Sequence, residues 1–323
     1  IIMQNSDSNI VRSRIPNIGS NLLAFVGFLV IGMAVGNILA IIFMALFTQT
    51  DIESTADLLG QLFLDPSKVE NGWWAMMILQ GTAHFFSYLV PSLLFWYLIE
   101  RKKVVDFKKT AKTDGTLWLL SILLVLVFIP TNSQFITWNA QMSFPDSFSW
   151  LEKWMRDKEN QMETLTTFMT TYTQPEQFVA ALVVVAVLPA LGEEFLFRGV
   201  LQTKFQSFWK NPHISIWVSA AIFSAIHFQF YGFIPRMLLG AIFGYLYFWS
   251  GNLWLAVLAH FINNGFALLM VYLHNIGLIN SNLEEMKTMP ITWVIPSFLF
   301  SITLLYFIKN KAKSNQVSSY FQQ

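Results

Sequence analysis

Eight stretches of this chain are apolar for long enough to cross ~30 Å of hydrocarbon, and that property restricts the fold more than any other. They lie near residues 21–47, 73–99, 117–134, 178–198, 214–229, 234–250, 253–274 and 291–308. Lipid offers no water to backbone N–H and C=O groups, so such stretches span as helices whose hydrogen bonds close within each segment. The expected fold is all-α, a polytopic membrane helical bundle with about eight transmembrane helices. Composition agrees: 54% of residues are hydrophobic and 12% charged, against ~25% charged in soluble domains. The first stretch, with Arg12 and Arg14 just ahead of it, is too long for a signal-peptide core and lacks a small-residue cleavage site. It is expected to remain as the first span. In the third, Pro130 is expected to end the helix early.

Lysine and arginine set the orientation. Thirteen fall on the side of the N-terminus and six on the other, which predicts that both termini are cytoplasmic. The chain reads as one domain: a cytoplasmic segment 1–20, a transmembrane unit 21–308 and a cytoplasmic tail 309–323. The longest connection, 131–176, holds Leu151, Trp154, Met155, Met162, Leu165 and Met169 near helical spacing with charges between them. That pattern predicts an amphipathic helix that lies on the outer surface or packs as a lid on the bundle.

Ionisable side chains at membrane depth are costly, so a cluster of them marks a functional site by default. The fourth stretch contains Leu191-Gly192-Glu193-Glu194-Phe195-Leu196-Phe197-Arg198, the fifth Phe223-Ser224-Ala225-Ile226-His227, and the seventh His260-Phe261-Ile262-Asn263-Asn264. Glu194 and Arg198 are four apart, the spacing of an intrahelical ion pair. Glu193 points about 100° away from that pair and can face a cavity. With a turn near Lys210, Glu193 and His227 both sit ~25 Å along their helices, at 1.5 Å per residue. His260 and Asn264 share one face of the seventh stretch. His84 in the second stretch reads as an interhelical hydrogen-bonding residue, His213 and His274 as interfacial, and Phe223 as packing. With no cysteine, and no Ser or Asp partner at matching depth beside either histidine, a Cys-His or Ser-His-Asp mechanism is disfavoured. Glu193 supplies a base for activating water, and His260 and Asn264 supply donors where negative charge develops. Glu193, His227 and His260 also make a conceivable zinc set, but the chain has no His-Glu-x-x-His helix, so no metal or other cofactor is expected.

Glu-Glu-x-x-x-Arg, Phe-x-x-x-His and His-x-x-x-Asn on successive apolar stretches resemble the signature of the CPBP family. That family comprises CAAX prenyl endopeptidases of the Ras-converting type and the related bacterial bacteriocin-processing and immunity (Abi) proteins. The motifs cover Glu193 to Asn264. The resemblance implies an intramembrane glutamic endopeptidase. In it Glu193 and His227 would activate water, His260 and Asn264, rather than Asn263, would form the oxyanion hole, and Glu194 and Arg198 would order the site. It implies a membrane-associated peptide or protein as substrate, the lipid bilayer as setting, no nucleic acid as partner, and a bacterial plasma membrane as location. Two alternatives stand beside it: a non-enzymatic immunity or scaffold protein, and a zinc-dependent protease using the same residues.

Overall fold

All eight apolar stretches are helical in the computed structural model, which describes residues 18–101, 113–279 and 289–320. The helices are α1 (Ile18–Thr48), α2 (Ile52–Leu64), α3 (Gly72–Leu98), α4 (Gly115–Ala140), α5 (Ser149–Thr170), α6 (Pro175–Trp209), α7 (Pro212–Ala225), α8 (Phe233–Ser250), α9 (Leu253–Asn275) and α10 (Ile291–Tyr320). No β-strand occurs among the described residues. Arg12, Arg14, Lys102, Lys103, Lys108, Lys109, Lys112 and Lys287, which contribute to the predicted orientation, lie outside them.

Among the described residues, seven helices are long and apolar enough to cross a membrane. The fifth stretch differs from expectation. Its helix, α7, has 14 residues and rises only ~21 Å at 1.5 Å per residue. It stops at Ala225, and the chain turns back through Phe228, whose backbone is left-handed at φ 53°. A single-turn 3-10 helix, Phe230–Gly232, then leads into α8. The α7–α8 hairpin is thus shorter than its neighbours, and its turn carries His227.

Burial separates inner from outer helices. Within the most apolar window, 44% of residues are buried in both α6 and α8, but only 17% in α1 and 22% in α10. The outer helices show Leu23, Val30, Ile31, Leu299 and Phe300 outward, as expected where the solvent is lipid. The amphipathic segment forms α5, which spans nothing and has no fully buried side chain. Its C-terminal part, Leu165, Phe168 and Met169, packs on Met76 and Leu79 of α3. At one end of the bundle Lys204 pairs with Glu100, and Asp114 caps α4 while meeting Lys311 at 2.8 Å. The Lys311 ammonium holds the Asp114 carboxyl below the usual carboxylate range.

Pro130 does not end the third span: α4 runs through it to Ala140. A proline ring crowds the carbonyl four residues back and opens the ladder around it. Here Ser297 of α10 enters the opening. Thr131 N donates to Ser297 Oγ at 3.1 Å, and Ser297 Oγ donates onward to Val127 O at 2.6 Å. The Thr131 hydroxyl completes the bridge at 2.6 Å. One hydroxyl from a neighbouring helix therefore replaces the rung between Val127 and Thr131. Ser297→Ala should lower stability by about 1–3 kcal/mol, the cost of leaving buried polar groups unpaired. Thermal unfolding in detergent checks this, with Ser297→Thr, which keeps the hydroxyl, expected to recover most of the loss.

Candidate functional site

Three widened, π-helical turns flank the polar cluster. Each π turn adds a residue to the helical cycle and shifts the side chains that follow it. Phe85–Leu89 begins immediately after His84, and Phe195–Gln202 begins immediately after Glu194 and contains Arg198. The third, Leu182–Val187, offers the Val185 carbonyl to Asn264 Nδ2 at 3.1 Å. All three irregularities adjoin or contact a residue of the cluster.

Glu194 and Arg198 form the innermost layer. They are 0% and 1% exposed, and Arg198 Nη1 donates to Glu194 Oε1 at 2.6 Å. Arg198 Nη2 donates to the Gly240 carbonyl of α8 at 2.7 Å. The guanidinium lies 4.8 Å from the Phe223 ring and 5.5 Å from the Phe243 ring, an arrangement that lets aromatic faces solvate a buried cation. Gly240 leaves room for that close approach. A Cβ on it would stand 3.1 Å from Phe223 and 3.2 Å from Arg198 Nη2.

His260 joins the two glutamates. Its Nδ1 lies 2.8 Å from Glu194 Oε1, the oxygen already bonded by Arg198, and its Nε2 lies 3.8 Å from Glu193 Oε2. The other oxygen of Glu193 is 4.0 Å from His84 Nε2, which is buried and has no hydrogen-bond partner. With Glu194 accepting, Nδ1 carries the proton, and a neutral ring then presents the Nε2 lone pair toward Glu193. Donation from both nitrogens requires imidazolium. His84 stacks on Tyr88, with ring centroids 4.4 Å apart, and Gly192 gives it room, since a Cβ there would lie 3.1 Å from His84 Nε2.

The remaining predicted residues are placed less directly. His227 is half-buried in the turn after α7, not on a helix, and its Nδ1 bonds the Phe223 carbonyl at 2.8 Å. It lies within electrostatic reach of Arg236, His260 and His84. No hydrogen bond or ion pair joins it to Glu193. Asn264 bonds Val185 and accepts from Asn263 Nδ2 at 3.0 Å, so both asparagines belong to one chain of hydrogen bonds. His213 bonds Tyr245 at 2.8 Å near the start of α7, and His274 lies in the last turn of α9. Among the described residues no group of three or more His, Cys, Asp or Glu side chains is arranged to hold a metal ion, and Glu193, His227 and His260 are not gathered into one.

His84 is the residue whose place the sequence does not disclose. Read alone it is a single polar residue in an apolar run, and its neighbours in the chain carry no chemistry. Only the packing of α3 on α6 brings it to Glu193.

Residues 175–266 match the family model described as Type II CAAX prenyl endopeptidase Rce1-like, which bears out the resemblance read from the motifs. Glu193, Glu194, Arg198, His227, His260 and Asn264 all fall inside that segment. The chain is also similar to a protein of Bacillus subtilis (strain 168) described as uncharacterized protein YpbD, with 38% identity over 85 residues. That similarity covers 25% of this chain and spans 40% of the relative's length. No solved structure matches the chain.

Removing one partner of a buried ion pair leaves an uncompensated charge. Arg198→Ala should therefore cost about 3–5 kcal/mol. Size-exclusion profiles and thermal midpoints in detergent check this. The double variant Glu194→Gln with Arg198→Met should be less damaged than Arg198→Ala alone.

Proposed function

We propose that this chain is an intramembrane endopeptidase of the CAAX-protease type, hydrolysing a peptide bond of a membrane-associated protein or peptide with Glu193 as the base. The observation that carries the reading is the pair of adjacent buried glutamates addressing opposite nitrogens of His260. Glu194 is committed to Arg198. Glu193 meets no cation within hydrogen-bond reach and faces two imidazole nitrogens at 3.8 and 4.0 Å. Distances of that size are bridged by one water with hydrogen bonds of ~2.8 Å.

In the proposed reaction that water attacks the carbonyl carbon of the scissile peptide and gives its proton to Glu193. The carbonyl oxygen becomes an oxyanion, and Nε2–H of His260, in its imidazolium form, and the amide of Asn264 donate to it. Collapse of the tetrahedral intermediate breaks the C–N bond, and Glu193 returns the proton to the leaving amine. His227 helps to orient the water. His84, on the second oxygen of Glu193, fixes the rotamer of the base. The reaction as written uses no metal. The bilayer is both solvent and source of substrate, and the setting inferred is a bacterial plasma membrane with both termini cytoplasmic.

The test is cleavage of a random library of quenched-fluorescent apolar peptides by purified protein in nanodiscs. Glu193→Gln should lower kcat by roughly 10²–10⁴-fold, the scale of a lost general base, with an unchanged thermal midpoint. Full turnover by Glu193→Gln would overturn the assignment. Exhaustive chelation should leave activity intact, and its loss with recovery on adding zinc would transfer the chemistry to a metal.

A further inference from the structure

The turn that carries His227 is fastened in part from elsewhere in the molecule. A helix begins with N–H groups that have no acceptor of their own, and the residue before it normally supplies one from its side chain. Helix α8 begins after Gly232, which has no side chain to offer. Acceptors for α8 and for the 3-10 turn before it come from two other helices instead. Asn139, buried in the last turn of α4, accepts from Ile234 N through Oδ1 at 2.7 Å and donates to the Phe230 carbonyl through Nδ2 at 3.3 Å. Glu159 of α5 accepts from Tyr231 N through Oε2 at 3.1 Å. Around these bonds Trp154 packs on Phe230 with centroids 5.2 Å apart, and the Arg156 guanidinium lies 4.4 Å over the Tyr231 ring. Within the turn itself, Ser224 Oγ donates to Phe233 O at 2.7 Å.

Helix α5 is in turn fixed beyond that contact. Trp73 Nε1 of α3 donates to Met169 O at 3.1 Å, and Asn275 Nδ2 of α9 donates to Thr170 O at 2.9 Å. At its other end Glu152 accepts from Phe144 N of the preceding loop at 2.9 Å and pairs with Arg156 of the same helix at 2.7 Å. A helix anchored at its C-terminal end to α3 and α9, with its middle on the His227 turn, works as a strap. We infer that Asn139 and Glu159 are positioning residues for His227: from outside, Asn139 caps α8 and Glu159 caps the 3-10 turn before it, and α5 keeps the His227 turn against the Glu193 cluster. The catalytic consequence rests on the hydrolytic role proposed for His227. The mechanical part does not.

The test uses the full chain in nanodiscs with Asn139→Ala, Glu159→Ala and the conservative Glu159→Gln, whose amide oxygen can still accept from Tyr231 N. Three readouts are compared with wild type: hydrogen–deuterium exchange of peptides covering 226–234, diethyl pyrocarbonate modification of His227 mapped by mass spectrometry, and kcat and KM on the library peptide cleaved best. Both alanine variants should exchange faster at Tyr231 and Ile234 and expose His227 to modification. They should lose about tenfold in kcat, the scale of one net hydrogen bond, with KM little changed. Glu159→Gln should stay near wild type in all three. Should Asn139→Ala fail to fold, Glu159→Ala, at a half-buried position, carries the same readouts. Exchange and modification at wild-type levels would overturn the strap, and a loosened turn with unchanged kcat would overturn the positioning role. If wild type and Glu193→Gln are equally inactive on every peptide, the hydrolytic reading fails, and exchange and modification still decide whether α5 holds the turn.

Discussion

One guanidinium sets the register of the central helices. Arg198 is almost wholly withdrawn from solvent in an apolar bundle, a placement that is tolerable only when its charge and its donors are both satisfied. Glu194 neutralises it from the same helix, the Gly240 carbonyl ties it to α8, and the rings of Phe223 and Phe243 cover its faces from α7 and α8. Through the shared oxygen of Glu194, His260 of α9 joins the same network. Four helices are thereby registered by a single cation. Glu193 directly precedes Glu194 in the chain, so its position is inherited from that network.

The same network constrains what His260 can do. The resemblance assigns it to the oxyanion hole as a donor, but its Nδ1 is occupied by Glu194. A neutral ring fixed in that tautomer offers Nε2 as an acceptor, and Nε2 becomes a donor only when the ring is imidazolium. The donor role proposed for His260 is therefore tied to its protonation state. Glu194 does more here than balance Arg198, because it selects which nitrogen of His260 meets Glu193.

What was legible in the sequence depended on how local the interaction was. The apolar stretches gave the helices, and four-residue spacing gave the Glu194–Arg198 pair, because both follow from the period of one helix. Three features were not legible. The end of α7 is hidden because the apolar run continues past Ala225 into the turn, so hydropathy does not register where the helix stops. The passage of α4 through Pro130 depends on Ser297, 166 residues from Thr131. His84 meets Glu193 only through packing of α3 on α6, aided by the missing side chain of Gly192. In each case the decisive atom belongs to another helix, or the decisive signal is a turn that has the composition of a span.

The short α7 and the surface helix α5 answer one requirement. A turn that stops short of the far end of the bundle places irregular backbone where lipid would leave it unsatisfied, and such backbone persists only where protein or water covers it. Asn139 and Glu159 supply the missing partners. Asn139 is available because the Ser297 bridge carries α4 past Pro130 to the level of the turn. Glu159 is available because the long connection after α4 folds as a helix across it instead of a loop into solvent. The cost of bringing a histidine-bearing turn toward the buried glutamates is met by side chains from α4, α5 and α10, none of which contributes a residue to the cluster itself.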